Sequence, residues 1–258
     1  MKNLINFELL ISIKFFVFIS FFILVLFHFF DIYLFELSRS FPGILFSFFK
    51  NIIDPLSRIL DPLNLIIICL LTLLLNSNVK LIIKNEKKFE IIRSQTDFDI
   101  EKVKDLFAYT SLVCRHFVFS LALAGIVCNI LKYVFGVSRP KYFFLEGYER
   151  INFFNLEHKV SSFPSGHTQA AFSLAVLIII YSKRYYFVII SFAILMGLSR
   201  IFMSMHFPSD IVAGAYLGSL VPIILYNYSF KDKIEKIKKK HDFFFKDLVR
   251  LMYWRIFI

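Results

Sequence analysis

The sequence predicts an all-α, polytopic membrane protein with a bundle of six transmembrane helices. Hydrophobic residues make up 58% of the 258 residues and charged residues only 19%, whereas soluble domains have about 45–50% apolar and about 25% charged residues. The mean hydropathy of +0.68 also indicates too little polar surface for a water-soluble globule. This composition argues against a disordered chain and against an ordinary cytosolic enzyme.

Six apolar stretches are the candidate spans, because a helix needs about 20 apolar residues to cross a bilayer. In chain order they are 10–30, 61–80, 112–135, 168–182, 185–203 and 210–228. Between the first two, the segment FPGILFSFFKNIIDPL (41–56) predicts an amphipathic helix that lies at the membrane surface. We expect one six-span domain over 1–230, with its active-site motifs in 132–210, and a basic interfacial tail over 231–258.

Lys and Arg are distributed unevenly among the connecting segments. Eight lie in 80–115 and nine in 231–258, against three in 31–60 and four in 136–167. Since cytoplasmic loops collect positive charge, both termini and the 80–115 segment are predicted to be cytoplasmic. The net charge of +11 is thereby explained by topology and by a basic tail on anionic lipid, so nucleic-acid binding is not favoured.

Cysteine and acidic residues give no pattern of a metal site. Cys69, Cys114 and Cys128 lie in or beside apolar runs without CxxC spacing, which favours plain buried thiols. Asp210 is the one acidic residue inside the motifs described next, whereas a two-metal phosphatase needs several converging ligands. We therefore expect no metal and no other cofactor.

The first motif is at the end of the third span. Lys132 and Arg139 are seven residues apart in KYVFGVSRP, about two helical turns, so both cations are expected to project from one side of the helix end. Pro140 is expected to stop that helix.

The second motif, SSFPSGHTQAA, opens the fourth span. Ser165 is a candidate N-cap, Gly166 permits close backbone approach, and His167 falls in the first turn. Free N–H groups and the positive end of the helix dipole make such a start an anion site.

The third motif, SRIFMSMHFPSD, joins the fifth and sixth spans. Arg200 is close to the outer end of the fifth span, and Asp210 follows His206 by four residues, within reach of one imidazole nitrogen. A carboxylate on one nitrogen fixes the tautomer and leaves the other nitrogen as a nucleophile.

The predicted topology places all three motifs on the same outer face. Together they supply three cations, neutral donors, a nucleophile pair and a histidine acid, which is the set that a phosphate monoester requires.

These motifs resemble the three-part signature of the type 2 phosphatidic acid phosphatase (PAP2) family: Lys132-x6-Arg139-Pro140, Pro164-Ser165-Gly166-His167 and Ser199-Arg200-x5-His206-x3-Asp210. No signature position departs from the pattern, and the span layout extends the resemblance over roughly 10–228. The resemblance implies a six-helix bundle of PAP2 type and metal-independent removal of a terminal phosphate from a lipid. It implies that His206 attacks phosphorus and forms a phosphohistidine, that Asp210 orients His206, and that His167 protonates the leaving oxygen. It also implies a set of residues that hold the phosphoryl oxygens: Lys132, Arg139, Ser165, Gly166 and Arg200.

Three other functions are compatible with parts of this pattern. A lipid-to-lipid phosphotransferase would use the same residues, and the motifs do not separate it from a phosphatase. Vanadium haloperoxidases share the anion pocket but are soluble, so the apolar spans argue against them. A non-enzymatic lipid transporter or scaffold has no need of an intact pair of nucleophile and acid.

The substrate is expected to be a membrane lipid phosphate in the outer leaflet of a bacterial inner membrane. Undecaprenyl diphosphate, lipid A phosphates and phosphatidylglycerol phosphate are the candidates. Lys141, Arg150 and Lys159 in the outward loop favour a polyanionic headgroup without selecting one. The oligomeric state is left open.

Overall fold

The computed structural model describes residues 7–59, 61–77, 84–96, 98–241, 246–247, 249–250 and 253. Within these residues the secondary structure is helical, and extended pairing is limited to one isolated bridge between Val137 and Ile151. The all-α prediction is confirmed for this part of the chain. The ends of the predicted span 61–80 and of the predicted tail 231–258 lie partly outside the described residues.

The described α-helices are numbered here in chain order. They are α1 (Phe7–Ile11), α2 (Ile13–Val25), α3 (Asp31–Arg39), α4 (Gly43–Phe48), α5 (Asp54–Ile59), α6 (Pro62–Ser77), α7 (Glu86–Thr96), α8 (Ile100–Phe135), α9 (Pro140–Glu146), α10 (Gly166–Tyr181), α11 (Tyr186–Phe202), α12 (Pro208–Leu225) and α13 (Lys231–Lys238). Short π-helical stretches join α2 to α3, α4 to α5, and α12 to α13: Leu26–Phe30, Phe49–Ile53 and Tyr226–Phe230.

Four helical runs of the described chain are long and apolar enough to cross a membrane. They are Ile13–Arg39, Gly43–Ser77, Ile100–Phe135 and Pro208–Lys238. The two apolar helices α10 and α11 are shorter, with 16 and 17 residues. These helices are those of a multi-pass membrane protein, while the count of six spans stays a prediction.

The chain divides into two compact units. The first comprises residues 1–64 and 120–224, and it contains every residue predicted for the site. The second comprises 65–119 and 225–258, where Ile92, Val103 and Ile234 are buried.

Aromatic and small side chains form the core of the first unit. Phe49 and Ile53, from the segment predicted as an amphipathic helix, are buried with residues of α10 and α11. The ring of Phe49 stacks on that of Phe202 with centroids 4.4 Å apart. The helix predicted over 41–56 therefore buries one side against the helices that carry the site.

Two glycines of α12 allow its backbone to lie against α10. A Cβ added to Gly214 would lie 2.5 Å from the carbonyl oxygen of Ser165, and one added to Gly218 would lie 2.2 Å from that of Gln169. Both distances are too short for a real Cβ, and neither partner is a side chain that can move aside. The close approach matters because Asp210 is in the first turn of α12 and Gly166 is the first residue of α10.

We expect Gly218→Ala to destabilise the protein by about 2 kcal/mol or more, since overpacking a tight contact costs about 1–3 kcal/mol and here the obstacle is backbone. Thermal unfolding in detergent measures the effect. Gly125→Ala in α8 is the matched control, because an added Cβ there meets nothing within 4 Å. Equal midpoints for the two variants would show that the contact between α10 and α12 is not tight.

Candidate active site

The three motifs converge within the first unit. The backbone N–H of Ser165, before α10, donates to the carbonyl oxygen of Asp210 in α12 at 2.9 Å. The Lys132 side chain, from the end of α8, passes Gly166, so that a Cβ on this glycine would lie 3.8 Å from Lys132 Cε. Besides burial, the positive charge of Lys132 also lowers the pKa of both predicted catalytic histidines.

Asp210 is held by the local structure of the helix start. Phe207 is the residue before α12, Pro208 is its first residue, and Asp210 Oδ2 accepts the Phe207 backbone N–H at 2.7 Å. A side chain in the first turn that reaches back to the N–H before the helix is half of a capping box, and proline is favoured at the first position. The sequence FPSD therefore fixes the Asp210 carboxylate locally.

His206 lies beside this carboxylate in the turn between α11 and α12. Its Nδ1 is 3.6 Å from Asp210 Oδ2, and its side chain is 4% exposed while that of Asp210 is 0% exposed. The predicted pairing of these residues is thus observed in space, at a separation longer than a direct hydrogen bond. Because Nδ1 faces Asp210, Nε2 is the nitrogen free to react.

Ser162 is a member of this site that the motif analysis did not assign. Its Oγ donates to Asp210 Oδ2 at 2.5 Å and lies 3.3 Å from His206 Nδ1. It precedes Ser165 by three residues in SSFPSGH, and the serine-rich string was the signal available in the sequence.

Burial lowers the pKa of His206 to about 4, although Asp210 acts in the opposite direction. Lys132 and Arg139 lower this pKa further. The imidazole is therefore neutral at neutral pH, which is the form that a nucleophile needs.

The backbone between Lys132 and Pro140 differs from the continuous helix predicted for the first motif. The helix α8 ends at Phe135 rather than at Pro140, because Gly136 adopts a positive φ of 52° and its N–H donates to the carbonyl oxygen of Lys132. This is the usual glycine ending of a helix. Arg139 is in extended backbone before α9, and Pro140 starts that helix.

Lys132 and Arg139 nevertheless reach the same place. Lys132 Nζ donates to the carbonyl oxygen of Ser161 at 2.6 Å, and Arg139 Nη2 donates to Ser161 Oγ at 3.2 Å. Arg139 is 7% exposed, and among the described residues its buried Nε has no hydrogen-bond partner. The guanidinium thus keeps an unsatisfied donor, which is costly unless a ligand accepts from it.

The start of α10 matches the second motif in position. Ser165 occupies the N-cap position, but it makes no side-chain cap bond. Its Oγ instead accepts from the Thr168 hydroxyl at 2.9 Å. At Gly166 an added Cβ would meet only ordinary contacts at 3.8–3.9 Å, so the close approach predicted there stays a prediction about a bound group.

Arg200 is paired with an acidic residue that the sequence analysis left unassigned. Its Nη2 forms a salt bridge with Asp54 of α5, and its Nε donates to Ser199 Oγ at 3.1 Å. His167 lies within electrostatic range of both Arg200 and Asp54. An acidic residue in an apolar segment requires such a partner, which was the available signal for Asp54.

A second acidic residue, Asp31, anchors the start of α12. Ser209 donates to it twice, from its N–H at 2.8 Å and from its Oγ at 2.5 Å. Arg150 forms a salt bridge with the same carboxylate and lies over the Phe207 ring, 3.5 Å from its centroid.

These contacts revise the expectation for the outward loop. Arg150 is engaged by Asp31, and Lys159 Nζ is 2.6 Å from Glu146 Oε2. Two of the three cations expected to favour a polyanionic headgroup are therefore already paired with carboxylates of the protein.

A cavity of about 290 Å³ adjoins His167, Lys132 and Gly166. Its wall combines polar side chains with apolar ones: Ser57, Asp61, Pro62, Leu121, Gly125, Cys128, Asn129, Gln169, Ala170 and Met196 also line it. Within the described residues, no three His, Cys, Asp or Glu side chains are grouped so that they could hold a metal ion.

The fold and the site define a multi-pass membrane protein with a buried His–Asp pair beside clustered cations. Residues 114–234 match the sequence profile of the PAP2 superfamily. This match over 121 of the 258 residues agrees with the resemblance drawn from the motifs.

Known proteins give matches of the same kind. The chain is 30% identical over 111 residues to a lipid A 1-phosphatase of Rhizobium johnstonii. The aligned residues cover 43% of this chain and 46% of that protein. It is 28% identical over 141 residues to an undecaprenyl-diphosphatase of Sulfolobus acidocaldarius, covering 52% of this chain and 64% of the relative. The chain thus spans about half the length of the curated relatives it matches. The crystal structure of Aquifex aeolicus LpxE aligns with a TM-score of 0.43 at 25% identity, over 77% of this chain and 95% of that one.

Proposed function

We propose that this protein is a membrane-bound phosphatase that removes the terminal phosphate of a lipid through a phosphohistidine on His206. One observation carries the proposal. A buried, neutral imidazole lies beside a fixed carboxylate and within electrostatic range of Lys132 and Arg139, the second of which has an unsatisfied donor. A nucleophile next to such cations is suited to a phosphoryl group.

In the proposed reaction, His206 Nε2 attacks phosphorus and the bond from phosphorus to the lipid oxygen breaks. Burial lowers the pKa of His167 to about 4, so we propose that the bound phosphate monoanion first transfers its proton to this imidazole. His167 then gives that proton to the lipid oxygen, so the lipid leaves as an alcohol or a phosphate. A water molecule then attacks the phosphohistidine and yields its proton to His167, and inorganic phosphate leaves. Asp210 keeps His206 oriented and stabilises its positive charge in the transition state.

Five residues are proposed to hold the phosphoryl oxygens: Lys132, Arg139, Ser165, Gly166 and Arg200. The start of α10 supports the roles of Ser165 and Gly166, because no side chain caps its backbone N–H groups. A direct contact between Arg139 Nε and a phosphoryl oxygen is supported because this buried N–H has no hydrogen-bond partner within the described residues. For Arg200 we propose that Asp54 holds the guanidinium in place while its remaining nitrogen faces the substrate.

We further propose a place and a substrate class. The charge distribution along the chain supports an inner-membrane protein with both termini in the cytoplasm and the site facing outward. The relatives act, by their names, on lipid A and on undecaprenyl diphosphate. Lipid A phosphates, undecaprenyl diphosphate and phosphatidylglycerol phosphate are therefore the substrates to compare.

The test is phosphate release by the purified protein in detergent, with each of these three lipids and with EDTA present. We expect turnover of at least one lipid at an undiminished rate in EDTA, and inhibition by vanadate, which resembles the trigonal phosphoryl group. Adding a second, unphosphorylated lipid distinguishes hydrolysis from phosphate transfer to that acceptor. Activity that is lost in EDTA and restored by Mg²⁺ or Zn²⁺ would overturn the metal-independent reaction.

A further inference from the structure

We propose that Ser162 is a positioning residue that connects His206 to Asp210, so that the orientation of the nucleophile depends on a serine hydroxyl. This inference rests on the proposed role of His206 as nucleophile. It goes beyond that role because a direct contact with Asp210 was the expected means of orienting the imidazole.

The distances favour a connection through the hydroxyl. His206 Nδ1 and Asp210 Oδ2 are 3.6 Å apart, which exceeds the usual range of a hydrogen bond between nitrogen and oxygen. Ser162 Oγ lies within hydrogen-bond range of both atoms, at 3.3 Å from Nδ1 and 2.5 Å from Oδ2.

The distances favour one arrangement of protons, since Ser162 Oγ is 2.5 Å from Asp210 Oδ2 and 3.3 Å from the Met205 carbonyl oxygen. A hydroxyl has one proton to donate and lone pairs to accept with, whereas a carboxylate only accepts. We assign the Ser162 hydroxyl proton to Asp210 Oδ2, its shorter contact. The Ser162 oxygen then accepts from Nδ1–H of His206, which leaves Nε2 unprotonated. No proton is transferred between His206, Ser162 and Asp210 in this arrangement. The positive charge that forms on the His206 imidazole during attack is stabilised through the same two hydrogen bonds.

Burial makes the connection specific. Ser162 and Asp210 are both 0% exposed and His206 is 3% exposed, so solvent does not compete for these bonds. The backbone of Ser162 is fixed separately, because its N–H donates to the carbonyl oxygen of Val137 at 2.8 Å. Asp210 Oδ2 also accepts the Phe207 N–H, while its buried Oδ1 has no hydrogen-bond partner within the described residues. The carboxylate therefore depends on Ser162 for one of its few hydrogen bonds.

Steady-state kinetics of Ser162→Ala on a lipid phosphate and on p-nitrophenyl phosphate test the proposal. Hydrogen bonds to charged groups contribute about 1.5–3 kcal/mol, so we expect kcat to fall about 10- to 100-fold. The loss should be equal on the two substrates, since Ser162 is proposed to act on the nucleophile and not on the leaving group. KM and the inhibition constant of inorganic phosphate should stay unchanged, because Ser162 is not proposed to touch the phosphoryl group.

Two further variants keep the proposal falsifiable. Ser162→Cys retains nearly the same shape, but its thiol is a weak hydrogen-bond donor. We expect its kcat to fall nearly as much as that of Ser162→Ala, and this variant tests the proposal if the alanine variant does not fold. Ser173→Ala is the matched control, because Ser173 is a buried serine of α10 whose Oγ donates to the Gly218 carbonyl oxygen at 3.0 Å. The control should keep the wild-type kcat.

The outcomes separate this inference from the proposed function. If the wild type releases no phosphate from any of the lipids, the proposed function fails. If the wild type is active and both Ser162 variants keep its kcat, or if they change KM and phosphate inhibition with kcat intact, the positioning role of Ser162 is overturned and the function is not.

Discussion

His206→Ala is expected to form no phosphoenzyme and to lose turnover by at least about 10⁴-fold on every substrate. The substitution removes the atom that bonds to phosphorus, and no other side chain is proposed to replace it. A trapping assay with radiolabelled substrate and rapid denaturation at alkaline pH measures the phosphoenzyme, since phosphoimidazoles are labile in acid.

His28→Ala is a suitable control for this experiment. His28 is an exposed histidine of the π-helical stretch Leu26–Phe30, and its side chain contacts the ring of Phe29. We expect the control to be fully active. A phosphoryl group trapped on the His206→Ala variant would show that another residue is the nucleophile.

The second large effect is expected at His167, where it depends on the leaving group. General acid catalysis contributes about 10²–10⁴-fold, and a lipid alkoxide needs a proton far more than a nitrophenolate does. His167→Ala should therefore lose about 10²–10⁴-fold on a lipid phosphate monoester and clearly less on p-nitrophenyl phosphate. The ratio of kcat/KM values for the two substrates is the quantity to compare.

His206→Ala serves as the reference for this measurement, because loss of the nucleophile is independent of the leaving group. Equal losses on the two substrates for His167→Ala would contradict its role as acid. The position of His167 in the first turn of α10, next to a cavity of about 290 Å³, provides space for the leaving group on its side.

Much of the fold follows from composition and periodicity. Long apolar runs predict helices because the bilayer leaves no other way to satisfy the backbone, and helices are observed at all six predicted stretches within the described residues. The predicted span 112–135 ends where α8 ends, but the expectation that Pro140 stops this helix is wrong, because Gly136 with its positive φ ends it first. A glycine in a sequence indicates that a positive φ is possible, whereas the conformation it adopts depends on the contacts of the residues that follow.

The predicted site residues could be found because their spacing is local. His206 and Asp210 share one turn, and Pro164 to His167 are contiguous. Ser162, Asp31 and Asp54 were missed because their partners are distant along the chain. Asp31, for example, accepts from Ser209, 178 residues away. A buried carboxylate in an apolar stretch indicates that a partner exists without identifying it.

The two salt bridges of the site limit how freely its parts can be exchanged between relatives. Asp31 and Asp54 precede residues 114–234, the region shared with the PAP2 superfamily, whereas Arg150 and Arg200 lie inside it. Leaving one member of a buried pair without its partner costs about 3–5 kcal/mol. A chimaera that inherits 114–234 alone would thus contain two guanidinium groups without their carboxylates. In this structure Asp31 and Asp54 therefore tie the segment before residue 60 to Arg150 and Arg200 of the matched region.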